Sequence, residues 1–177
     1  GELERMRKLL TTAGDEFVEL YNPTAAAISL SGWRLTRKTA SGSAQTNLVA
    51  NISGTIQSHG YFLITNPASP LATSTADLIY SASSSAITTN NTILLYSDAG
   101  TTLVDKVGFG IAGDNETFPF ATNPDVNQSI IRKATTTSDA ASLGAGGSES
   151  TFGNGYDTDN NSTDFVLLTT SLPRNAS

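Results

Sequence analysis

Residues 15–35 read DEFVELYNPTAAAISLSGWRL, and this stretch decides the fold. Phe17, Val18, Leu20 and Tyr21 form a short β-rich run with apolar groups on both faces. Asn22-Pro23 ends it, because Asn suits a turn and Pro has no N–H to give a ladder. Ile28 and Leu30 then start an alternation on even positions, and Trp33 and Leu35 continue it on odd ones. A strand changes phase only through an extra residue, so Ser31-Gly32 is expected to be a bulge or kink that turns Trp33 inward. Two short strands and a re-aimed Trp close one end of a small sandwich core.

The same residues carry a resemblance. Glu16-Phe17-Val18-Glu19-Leu20-Tyr21-Asn22-Pro23, followed by Leu30-Ser31-Gly32-Trp33-Arg34-Leu35, resembles the opening of a bacterial lamin-tail domain. Gly54-Thr55-Ile56 and Gly60-Tyr61-Phe62-Leu63-Ile64 are similar to that family's middle strands. Ser129-Ile130-Ile131-Arg132-Lys133 is similar to a late strand, and Asp157–Asn161 with Asp164-Phe165-Val166 to the closing segment. Together these cover roughly residues 13–175. The resemblance implies an all-β, immunoglobulin-like β-sandwich. It also implies an opening hydrophobic strand, which the first ten residues do not show. Bacterial relatives commonly stand beside hydrolase domains or export segments, which implies a targeting, adhesive or scaffolding role.

Composition bounds the rest. A chain of 177 residues suits one domain with a real core. Charged residues make up only 15%, and cysteine is absent, so neither disulfides nor thiol chemistry is available. That composition points to an extracellular or cell-surface protein. No run approaches the ~18 apolar residues of a membrane helix. Net charge is −6, and the only basic cluster in the body is Arg34, Arg37 and Lys38, read as a solvated hairpin face. Nucleic acid is therefore not expected as a partner, since its phosphates demand clustered Lys and Arg.

Along the chain, residues 1–10 (GELERMRKLL) stand apart: Leu3, Met6, Leu9 and Leu10 share a helical face and Glu4–Lys8 is an i,i+4 pair. They read either as a vector-derived segment or as a short helix docking on the sandwich, with residues 11–177 as the sandwich domain. Residues 36–53 read as an exposed hairpin or loop anchored by Leu48, Val49 and Ile52. Tyr61–Thr65 is a strand covered on both faces, Asp77–Ser81 a short strand, and Ser83–Asn91 a polar connector. Thr92–Ser97 and Thr102–Phe109 flank Asp98-Ala99-Gly100, a hairpin whose Gly supplies positive φ. Residues 110–128 form a long loop expected to be pinned by Phe118 and Phe120. Gln128–Lys133 and Phe165–Leu168 are strands, and residues 134–155 are either a packed loop or a mobile one.

Few constellations could carry chemistry. His59 is the sole histidine and sits in a turn beside Ser58 and Gly60, with no nucleophile elbow in the chain. Glu16 and Glu19 lie three apart in a strand and so point to opposite faces, the wrong geometry for paired acid/base work. Glu19 shares a face with Phe17 and Tyr21 and would need hydrogen-bond partners if buried. No catalytic residues are assigned.

The acidic loop 157–164 is the candidate metal site. Asp157, Asp159 and Asn161 match the first three ligand positions of an EF-hand loop, and Asp164 would close the shell. The match fails at Ser162, where the loop needs Gly, and at Leu168, where it needs a bidentate Glu. Oxygen ligands without Cys or His favour Ca²⁺ over Zn²⁺. The competing reading is a set of Asx turns capping the last strand.

Three functions follow. The first is a non-catalytic interaction or scaffolding module that meets a protein or cell-envelope partner. The second is a Ca²⁺-dependent binding or adhesion module, for glycans among others. The third is an accessory domain of a hydrolase.

Overall fold

The structure, a computed structural model, describes residues 5–9 (backbone alone), 16–81 and 85–177. The strands in chain order are β1 (Arg5–Leu9), β2 (Phe17–Tyr21), β3 (Ile28–Ser29), β4 (Trp33–Lys38), β5 (Gln45–Ile52), β6 (Thr55–Ile56), β7 (Tyr61–Thr65) and β8 (Leu78–Ile79). They continue with β9 (Thr92–Ser97), β10 (Thr102–Gly108), β11 (Ser129–Arg132) and β12 (Phe165–Leu168). Two single helical turns, α1 (Ala140–Leu143) and α2 (Asn161–Asp164), interrupt the late loops. One sheet has the order β12-β11-β1-β2-β7-β8, a second β10-β9-β4-β5, and a small third pairs β3 with β6. This is the all-β sandwich expected from the turn spacing.

Every residue of β2 is buried, and the reason lies in the two layers that cover it. Val18 and Leu20 face the main core with Phe62 and Ile64 of β7, Leu35, Ile93 and Leu95 of the second sheet, and Ile130 of β11. On the opposite face Phe17 and Leu63 pack with Leu71. Trp33 lies in the main core at 6% exposure, as its phase shift demands. Of the expected bulge or kink, the device that shifts the phase is the kink, a turn in which the Trp33 N–H donates to Leu30 O at 2.9 Å. Gly32 takes φ +79° there, a conformation that L side chains rarely adopt. The turn separates β3 from β4, so the chain leaves the small sheet and joins the second one.

The first segment corrects the helix reading. Arg5–Leu9 is a strand, antiparallel to β2 on one side and to β11 on the other. Propensity and i,i+4 charge pairing favour helix only weakly, whereas two open strand edges offer a ladder on both sides. Residues 1–4 and 10 of that segment, and 83–84 of the polar connector, lie outside the described residues.

Elsewhere the expected elements stand with shifted ends. Residues 36–53 contain the β4–β5 hairpin, whose anchors Leu48, Val49 and Ile52 are buried. The turn after β9 carries three successive left-handed residues, Asp98, Ala99 and Gly100. The 134–155 segment is packed: Leu143 of α1 covers Ile131 and Leu168 on the outer face of the first sheet. Of the two phenylalanines expected to pin the 110–128 loop, Phe120 packs against the core, while Phe118 is 62% exposed. Phe120 is held by backbone bonds to Gly108 and Gly110, whereas Phe118 follows a tight turn in which Thr117 takes φ +56° and the Phe118 N–H donates to Glu116 O.

Candidate functional site

The site begins with a bulge. In the β9–β10 pair the register slips between Leu103 and Asp105, so Val104 is an extra residue. Leu103 is thereby sent outward, and Asp105, opposite the buried Leu95, turns into the gap between the sheets at 1% exposure. From the other sheet Arg132, the last residue of β11, points into the same gap and is fully buried. Its Nη2 donates to both Asp105 oxygens at 2.9 and 3.0 Å, a charge-assisted contact centred on one nitrogen. Its Nη1 lies 3.2 Å from Asp157 and 3.7 Å from Asp164, and the Phe165 ring stacks 4.5 Å from the guanidinium carbon. Burial works against the Arg132 charge, but the carboxylates around it, Asp105 first, outweigh burial and raise its pKa.

Glu116 joins from the 109–120 loop. One carboxylate oxygen each from Asp105, Glu116 and Asp157 can be chosen so that all lie within 4.8 Å of one another. Burial, and then the charges of Asp105, Asp157 and Asp159, push the Glu116 pKa up to about 8 against the pull of Arg132. Glu116 is therefore mostly protonated at neutral pH. The loop that carries it is clamped to the second sheet: Asp114 accepts from Lys38 Nζ at 2.7 Å and from Lys106 Nζ at 2.9 Å. Burial opposes the Asp114 charge, and the two lysines overcome it and lower its pKa. Gly108 makes the close approach possible, since a Cβ there would fall 2.5 Å from Asp114 O.

The four expected metal ligands do not converge as a loop cage. Asn161 is fully buried and its Oδ1 accepts from Gly108 N and Glu116 N, at 2.9 and 3.0 Å. Its Nδ2 donates to Lys106 O and to Glu116 Oε2. Asp164 accepts from Thr158 N, Thr158 Oγ1 and Asn160 N, so it ties the loop to itself. Asp159 is exposed at φ +57°, and its backbone carbonyl accepts from Thr117 Oγ1. Only Asp157 enters the cluster with Asp105 and Glu116.

The other candidates are quieter. His59 is exposed at φ +55°, with its Nδ1 3.3 Å from the Tyr21 hydroxyl. Glu16 and Glu19 are both fully buried and face opposite ways, as their spacing requires. Glu16 accepts from Asn66 Nδ2 and Ile87 N, and Glu19 from Arg174. Arg34 stacks on Tyr96, and Lys38 is neutralised by Asp114, so the basic cluster is partly dismantled. A cleft of about 240 Å³ between α1 and the stretch after β12, lined by Ala140, Gly144, Leu168 and Leu172 among others, has no ionisable side chain. No helix among the described residues is long and apolar enough to cross a membrane.

A sandwich opened by EFVELYNP, with Trp33 turned inward after LSG, can now be set beside known families. The lamin tail domain model matches residues 8–110, more than half of the chain. The chain belongs to the lamin tail domain family. A search of curated proteins gives no match. The matched part of this lamin tail domain supplies Asp105 from β10, while Arg132, Asp157, Asn161 and Asp164 come from the remainder. The buried charge cluster thus joins the matched part of the domain to the rest. Sequence reasoning missed Arg132 and Asp105 because neither has its partner nearby in the chain. The one signal was an arginine ending an otherwise apolar run, Ser129-Ile130-Ile131-Arg132.

Proposed function

We propose that this lamin tail domain is a non-catalytic interaction module of a bacterial secreted or cell-surface protein, meeting a protein or cell-envelope partner. The observation that carries the reading is the 109–120 loop. It holds Ile111 at 79% and Phe118 at 62% exposure, yet it is anchored from behind by Asp114 and Asn161. Apolar side chains held out on a braced loop suit recognition by a partner. Low charge content and abundant Ser, Thr, Ala, Asn and Gly support an exported setting. The ionisable groups described above serve structural pairs, which supports the non-catalytic reading over the hydrolase one. The test is sedimentation with isolated bacterial envelopes. Binding should fall at least tenfold in Ile111→Ser/Phe118→Ser with the melting temperature preserved. Envelope binding that ignores both substitutions overturns the reading, as does esterase, phosphatase or nuclease turnover abolished by His59→Ala.

The cation-dependent alternative now rests on Asp157 with Asp105 and Glu116, rather than on the four loop residues together. Asp105, Asp157 and Asp164 around one guanidinium leave negative charge for Ca²⁺ to offset, although Ca²⁺ would have to displace the Glu116 proton and needs several more oxygens than this cluster supplies. Bound Ca²⁺ would raise the melting temperature by mass action. Identical melting in millimolar CaCl₂ and in excess chelator removes this alternative.

A further inference from the structure

On the outer face of the six-stranded sheet, away from the 109–120 loop, the segment 171–177 crosses β2 and β7 without forming a strand. Its contacts centre on one side chain. The Arg174 guanidinium carbon lies 3.7 Å from the centre of the Tyr61 ring. Its Nη2 donates to Glu19 Oε1 at 3.2 Å and to Asn154 Oδ1 at 2.6 Å, while the Arg174 backbone N–H donates to Glu19 Oε2 at 2.7 Å. An aromatic face, a carboxylate and an amide carbonyl thus surround one guanidinium. The combination recognises the flat face and the charge of a guanidinium, with one nitrogen, Nη2, donating to both oxygens.

The walls of this pocket are carried by other parts of the fold. Glu19 and Tyr61 stand on adjacent strands that pair along their whole length. Asn154 is held by its own Nδ2, which donates to Arg132 O at 2.8 Å. Tyr21 packs beside Tyr61 with ring centres 5.2 Å apart and extends the aromatic wall. The segment itself is attached by few further bonds: Ser171 N to Asn127 O, Asn175 Nδ2 to Thr75 O, and Ala176 N to Asp77 Oδ2. The Arg174 side chain keeps 27% exposure, so the pocket opens to solvent.

We propose that Glu19, Tyr61 and Asn154 form an arginine-binding pocket for an extended peptide segment of a partner protein, filled in cis by Arg174 until such a segment displaces it. The claim goes beyond the interaction-module reading and does not depend on it, since it uses a different face. A tethered occupant competes as if present at roughly millimolar concentration, so an incoming arginine segment must outbid that or arrive at high local concentration.

The test uses the full chain carrying Arg174→Ala and a fluorescein-labelled peptide of sequence SLPRNAS, titrated by fluorescence anisotropy. Saturable binding is expected to the variant, with affinity for the wild type at least tenfold weaker because its pocket is filled. A peptide with its Arg changed to Ala should not bind, and one with Lys should bind at least fivefold more weakly. Adding Glu19→Gln to the Arg174→Ala chain should weaken the parent peptide at least tenfold. Far-UV circular dichroism checks the fold, and Arg174→Gln, which keeps a polar side chain, replaces the alanine variant if that one is unfolded. No saturable binding to a folded variant at millimolar peptide, or equal binding of the Ala peptide, overturns the proposal.

Discussion

Replacing Arg132 with methionine tests whether the buried charge cluster holds the two sheets together. The substitution keeps an unbranched chain but removes the Nη2 donor to both Asp105 oxygens, at 2.9 and 3.0 Å, and the contact with Asp157 at 3.2 Å. Asp105 keeps the Lys106 backbone N–H, at 2.9 Å, but stays at 1% exposure without its countercharge. Breaking a buried pair on one side typically costs about 3–5 kcal/mol. At ~2–4 °C per kcal/mol for a domain of this size, the melting temperature should fall by about 6–20 °C. Asp105→Leu alone leaves Arg132 with Asp157 and Asp164 and should cost less, ~2–3 kcal/mol. The double variant should recover at least ~1.5 kcal/mol relative to the sum of the singles, because neither charge is then stranded. Acid should partly rescue Arg132→Met. Burial without the cation raises the folded pKa of Asp105, so its penalty is absent below the unfolded value near ~3.9 and grows as pH rises through the folded one. Urea unfolding at pH 5 and pH 7.5 reads all of this. A loss below ~1 kcal/mol for Arg132→Met, or singles that simply add, would refute the reasoning.

Three further outcomes are expected. Trp33→Ala should cost about 3–5 kcal/mol, the usual range for deleting a buried large aromatic, and a substitution that leaves urea unfolding unchanged contradicts its place in the core. With a folded pKa of about 8, above the ordinary 4.5, Glu116 contributes stability that is fully present below pH 4.5 and lost as pH rises through about 8. After a discount for solvent screening at this partly exposed group, the wild type should lose ~1–2 kcal/mol more than Glu116→Gln between pH 5 and 8.5; parallel pH profiles would dismiss the effect. Deleting residues 1–9 removes a strand paired on both sides and should lower the melting temperature by more than ~10 °C, whereas an unchanged melt would mean that β1 contributes nothing.

What was legible in the sequence is what neighbours in the chain decide. The apolar run at 17–21, the phase change before Trp33 and the Asp98-Ala99-Gly100 turn each carry their own chemistry, and each stands where it was read. The local signal for β1 was misleading, because Arg5, Arg7 and Lys8 give no strand alternation and its place is set by β2 and β11. Asp105 was hidden for a related reason. Leu103, Asp105 and Val107 alternate in sequence as one face, and only the extra residue Val104 puts Leu103 on the other side. Asn161 and Asp164 were recognised as oxygen-rich, but the backbone N–H groups that occupy them belong partly to distant loops. Composition shows oxygen donors; it does not show which of them are already engaged.

The position of β1 also bears on how the chain reaches this fold. One of its partners, β2, follows within a few residues, but the other lies across the Lys8–Ile130 pairing, over a hundred positions later. A growing chain therefore exposes one flank of β1 until β11 has left the ribosome, and Asp105 waits for Arg132 over the same interval. Such distant closure is slow, and an unpaired strand flank invites pairing with other chains in the meantime. A fragment cut at residue 110, where the family match ends, would keep that flank open permanently. Aggregation of such a fragment, set against an orderly full-length chain, is the behaviour that this strand order entails.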